Sequence, residues 1–190
     1  AVNWLQVAAL IAYGGYTFSQ GGSPLNLLDD LLAVACLLTW VPLLTGYLRG
    51  QSGAGRPELT ALQNLFPLLT LWRLMEWTLL SLGVAMGNFA YGTHPLTLIA
   101  LFLVWGASIV ARSAVYAVSC SQFAAPSARG RASLLHWLNW LAALELALMV
   151  FNVWPPSGFG PRSSDLEKAM YGALGLLEST SLLLAYRAVE

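Results

Sequence analysis

Five charged residues fall in the middle of long apolar stretches: Arg73 and Glu76 within LWRLMEW, then Arg112, Glu145 and Glu178. An ionised side chain at the centre of a membrane-spanning helix costs about 2.5–3.5 kcal/mol on insertion scales, so each of these needs a partner or a task. Arg73 and Glu76 lie three apart on one helix face and are expected to form a local ion pair, with Trp72 and Trp77 beside them. Trp105, Ser108, Arg112 and Tyr116 recur at helical spacing, as do Tyr171, Gly175, Glu178 and Ser181, which predicts polar faces turned inward. Asn152 extends the side of its helix that carries Glu145. Where these faces converge, two guanidiniums meet three carboxylates, and one carboxylate lacks a full partner. Such a group suits either the binding of partner helices or a ligand and proton site. A metal pair is not expected, because helical di-metal sites carry Glu-x-x-His motifs and none occurs.

A secondary cluster is expected at the outer face, where Asp29, Asp30 and His94 fall close to predicted span ends. Asp29 and Asp30 are read first as capping a helix N-terminus through its free backbone donors. His94 and His136 sit at opposite ends of their spans and so cannot both ligate one haem. Ser119, Ser121 and Ser133 share an end with His136, but no GxSxG elbow or acidic partner accompanies them, so no catalytic residue is assigned. Cys36 and Cys120 form no CxxC pair. Lys168, the single lysine, lies too near a span end for a mid-membrane Schiff base. No cofactor is legible from these residues.

The elements that must hold the charges are apolar. Of 190 residues, 57% are hydrophobic and 9% charged, against roughly 25% charged in a soluble domain. Nine basic residues balance nine acidic ones, which leaves no positive field for nucleic acid. A helix crosses the hydrocarbon core with about 20 apolar residues, and the chain offers six such stretches, at 2–18, 27–47, 59–86, 96–118, 132–154 and 166–188. The first is the weakest, with Asn3, Gln6 and the Gly14-Gly15 pair, but nothing basic precedes it and no cleavage pattern follows, so it is read as a helix. Short segments rich in Gly, Pro and Ser separate the stretches. Pro42 and Pro67 fall inside spans, and Trp4, Trp40, Trp137, Trp140 and Trp154 fall near predicted interfaces, as an aromatic belt requires.

The expectation is an all-α, polytopic integral membrane bundle of about six transmembrane helices with short loops, spanning residues 1–190 as a single domain. Arg49, Arg56, Arg129, Arg131 and Arg187 share one side, and Arg162 and Lys168 take the other, so the positive-inside rule places both termini on the cytoplasmic side of a bacterial inner membrane or an organellar one. The expected partners are the lipid bilayer and other membrane subunits or further copies of the chain. Two functions remain open. One is a non-catalytic subunit of an electron-transfer, pigment or transport complex, whose buried Arg and Glu bind partner helices or a cofactor. The other is a small oligomeric channel or proton-coupled transporter that uses the intramembrane glutamates.

Overall fold

The computed structural model describes residues 2–21, 23–86, 95–154 and 164–190. These form six helices and, among the described residues, no strand: α1 (Val2–Ser19), α2 (Pro24–Leu48), α3 (Pro57–Ala85), α4 (Pro95–Ala124), α5 (Ala128–Val153) and α6 (Asp165–Val189). The starts follow local chemistry. Ser23, Ser127 and Ser164 each accept a backbone N–H of the first helical turn, and Glu167 reaches back to the Ser164 N–H to complete a capping box. Pro24, Pro57 and Pro95 open their helices, where a missing N–H costs nothing. Asp29 and Asp30 are therefore not caps. Ser23 does that work, and the two aspartates lie well inside α2.

α4 runs to Ala124, six residues beyond the stretch that ends at 118. The polar run Ser119–Gln122 does not stop the helix because the bundle satisfies it. Ser119 is fully buried and accepts the Trp40 indole N–H at 2.9 Å, and Gln122 donates to the Tyr47 hydroxyl at 2.9 Å. Trp40 is thus a core residue, 3% exposed, whereas Trp4, Trp140 and Trp154 are exposed in the manner of a belt. Four of the six helices, α2 to α5, are long and apolar enough to cross a membrane. α1, the shortest, and α6, with Glu178 at its middle, fall short of that measure, so length and apolarity alone support four spans rather than six.

Each helix packs against its neighbours in sequence, and α6 closes on α1, so the six form a ring of alternating direction. α2 also touches α4 and α6 and sits towards the centre. The two ends of this ring differ. Where α2, α4 and α6 finish, Leu43, Leu62, Phe123, Leu134, Leu138 and Leu141 form an apolar core. Three ties close its centre, beside a surface recess of about 410 Å³ that Tyr47, Arg131 and Val189 also line: the Gly53 N–H donates to the Phe123 carbonyl at 2.7 Å, Tyr47 packs on Phe123 at 5.0 Å, and Arg131 Nε donates to the Val189 carbonyl at 2.8 Å. Gly53 is needed there, since a Cβ would sit 3.0 Å from that carbonyl oxygen. The outer surface is apolar, with Leu71 and Leu79 of α3 67% and 62% exposed.

Close approaches use glycine, as in helix pairs packed without a hydrophobic drive between them. The Trp77 ring lies on Gly106, and Gly175 of α6 meets Met149 of α5 so closely that an added Cβ would fall 2.6 Å from the Met149 Cβ. Gly175→Ala should therefore lower stability by about 1–3 kcal/mol through forced separation of α5 and α6. Gly15→Ala, with nothing within 4 Å, should be neutral or stabilising, because glycine is the poorer helix former. Thermal unfolding of both variants in mild detergent checks the contrast.

Candidate functional site

Arg112 stands near the middle of α4 and is almost closed off from solvent. One of its terminal nitrogens donates to Glu145 of α5 at 2.6 Å, and the other to Glu178 of α6. The fork of the guanidinium makes this arrangement natural, since its two Nη groups diverge towards separate acceptors. Taking a charge out of water costs several kcal/mol, and two facing carboxylates offset that cost where one surface ion pair would not.

Arg73 of α3 forms the second knot. Its Nε and Nη2 donate to the two oxygens of Asp29 on α2, each at 2.8 Å. The local Arg73–Glu76 pair expected from spacing does not form. A parallel two-bond pairing needs a carboxylate facing the edge of the fork, and Asp29 supplies that from across the α2–α3 contact. Glu76 instead lines the interior and makes no ion pair among the described residues. Asp30 also has no ion-pair partner there, and its carboxylate lies against Gly14 of α1, 3.0 Å from where a Cβ would be.

These groups surround one cavity of about 320 Å³. Arg73, Glu76, Arg112, Glu145 and Glu178 all line it, so the five charges singled out from the apolar stretches do meet. Asp29 and Asp30 line the same cavity. His94 lies outside the described residues. Trp105, Ser108, Asn152, Tyr171 and Gly175 complete the wall from the faces predicted by helical spacing. Tyr116 and Ser181 belong to those faces too, but they lie deeper. With Gln6 and Trp40 they line a pocket of about 20 Å³ beneath Arg112 and Glu178, room for about one water. Ser181 donates there to Asn3.

The sequence reading missed the contribution of α1. Leu10 and Tyr13 line the cavity, Gln6 lines the pocket below, and Tyr13 packs on Tyr171 at 5.3 Å. The spacing of Asn3, Gln6, Leu10 and Tyr13 marks one face and carried the signal. Of Trp72, Trp77 and Trp105, Trp105 alone lines the cavity. Trp77 turns to α4, where its indole N–H donates to the Phe102 carbonyl at 2.9 Å, and the Trp72 indole nitrogen is buried without a hydrogen-bond partner.

The other chemistry considered finds no geometry. His136 packs its ring against Trp137 and Trp140, Ser119 is engaged by Trp40, and among the described residues no serine hydroxyl is hydrogen-bonded to a histidine. Both cysteines are free and buried. Among the described residues no three His, Cys, Asp or Glu are grouped to hold a metal ion. No family model, curated protein or solved structure matches the chain.

The central triad should behave as a unit. Arg112→Met leaves two carboxylates facing each other in the interior and is expected to cost about 3–5 kcal/mol. Adding Glu145→Met and Glu178→Met to it should restore most of that stability, since a buried ion group replaced whole by apolar side chains is often neutral. Thermal unfolding of the single and triple variants in detergent reads both effects, and additive losses would contradict a coupled triad.

Proposed function

We propose that the chain is an integral membrane protein of six spans that receives a small solute in its cavity from the outer side, as a carrier or proton-coupled transporter. The observation that carries this reading is a cavity lined by seven acidic and basic side chains inside a bundle whose outer surface is apolar. A soluble protein rarely exposes so much apolar surface, whereas lipid covers it without cost. Intramembrane charges that turn away from lipid and line a cavity are the usual mark of a solute or ion pathway.

The arrangement of the ring supports a direction. Most of the cavity-lining residues come from the half of the bundle away from the seal, and the deepest, Arg112 and Glu178, lie near the middle of their helices. Arg49, Arg56, Arg129, Arg131 and Arg187 gather at the sealed end, and Lys168 stands at the open end beside Asp165 and Glu167. By the positive-inside rule the sealed end, with both ends of the described chain, faces the cytoplasm. The triad of Arg112, Glu145 and Glu178 then forms the floor of an outward-open cavity, and opening inwards requires the triad to separate or shift.

The reading as a non-catalytic subunit of a larger assembly has less support. Buried charges that would bind partner helices face the chain's own interior, which leaves the apolar flank of α3 as the surface such a partner would use.

Asn152 lies near the end of α5 on the cavity wall and is exposed. In sealed vesicles of known orientation, Asn152→Cys should react with a charged, membrane-impermeant thiol reagent from the outer side. Ser133→Cys, at the sealed end, should react only after permeabilisation. Buried Cys36 and Cys120 give the background. The reverse pattern would overturn the proposed direction, and an unreactive Asn152→Cys would overturn the open cavity.

A further inference from the structure

The contents of the cavity limit what it can hold, and we infer that its solute is a small organic cation, an alkylammonium or guanidinium compound with a short apolar body. This inference rests on the reading of the cavity as a solute site.

The first argument is the state of the two guanidiniums. Arg73 gives both of its neighbouring donors to Asp29, and Arg112 gives one Nη to each of Glu145 and Glu178. Both guanidinium charges are thus already matched by three carboxylates at ion-pair distance, so an anionic ligand would meet no unbalanced cation. The carboxylates are in the opposite position. Five of them, Asp29, Asp30, Glu76, Glu145 and Glu178, line the cavity against two guanidiniums, and Asp30 and Glu76 form no ion pair among the described residues. A recess walled by low-dielectric protein concentrates that excess negative field.

The second argument concerns what lies between the carboxylates. No three ligating groups converge for a metal ion among the described residues, so a bare divalent cation is not favoured. The wall instead offers Trp105 and the Tyr13–Tyr171 pair, rings that attract an ammonium or guanidinium group through their faces. Leu10, Ile109, Leu148 and Leu174 line the same space and suit an apolar body. At about 30 Å³ per water, 320 Å³ corresponds to roughly ten waters, the scale of a small molecule.

The test uses the purified full chain in mild detergent and four probes of similar size: n-butylammonium, choline, butyrate and n-butanol. A ligand that binds only the folded state raises the unfolding temperature. The two cations should raise it in a saturable way, and butyrate and butanol should not. Asp30→Asn combined with Glu76→Gln removes neither an ion pair nor a side-chain hydrogen bond among the described residues, and its unliganded unfolding temperature confirms that it folds. That variant should bind the cations at least tenfold more weakly, and Asp165→Asn, outside the cavity, should bind them unchanged.

A shift with butyrate, an equal shift with butanol, no shift with either cation, or an undiminished response in the double variant would each overturn the inference. The reading beneath it fails differently. If the cations do nothing while Asn152→Cys is open to the outer side, the solute cavity stands and its ligand class is wrong. If Asn152→Cys is closed, both fall.

Discussion

A guanidinium in the middle of an apolar bundle, shared by two carboxylates from two other helices, is the constraint on which the rest of the structure depends. Arg112 cannot be left without acceptors, so α4, α5 and α6 must keep the register that delivers Glu145 and Glu178 to it. That register explains a glycine. Met149 lies one turn beyond Glu145 on α5, and Gly175 lies about one turn before Glu178 on α6, and these two positions meet at the closest approach of the helices. A larger side chain at 175 would push apart the helices that must both reach Arg112. Packing and electrostatics are here one requirement, satisfied at neighbouring turns.

The second knot, Arg73 with Asp29, does the same for α2 and α3 on the opposite side of the ring. Between the knots the helices enclose space instead of filling it, because charged groups at that depth hold polar surface apart. Towards the sealed end the charges, Arg56 with Glu58 and Arg131, sit at the rim, and the side chains close into an apolar core around Leu43, Phe123 and Leu138. The asymmetry of the molecule follows from where its charges lie along the helices. A polar step of Tyr116, Ser181 and Gln6 separates the two regimes.

Much of this was legible in the sequence, and what was not has physical causes. Apolar runs bounded by Gly, Pro and Ser marked all six helices, because those residues end helices through backbone geometry that acts locally. The convergence of Arg73, Glu76, Arg112, Glu145 and Glu178 was legible because a buried charge must find company and helical spacing shows which way it turns. The pairing of Arg73 was not. Glu76 is its neighbour along the helix, whereas Asp29 is reached only through the packing of α2 on α3, which no local pattern encodes. For the same reason Asp29 and Asp30 read as caps and Trp40 as an interface residue, although one pair lines the cavity and the other is held in the core by Ser119. The extra turns of α4 escaped notice because serine and glutamine near a helix end resemble a terminus until their partners are seen.

A carrier of the proposed kind requires a hydrated charged interior and a leucine-covered exterior that faces lipid. Spin labels on α6 test it directly, with Leu174→Cys in the cavity wall and Leu176→Cys and Leu183→Cys on the outer surface, 54% and 48% exposed in the parent chain. In lipid bilayers prepared in D2O, a hydrated cavity requires strong deuterium modulation of the label at 174 and weak modulation, with high oxygen accessibility, at 176 and 183. A dry label at 174 beside wet labels at 176 and 183 would contradict both the helix orientation and the cavity.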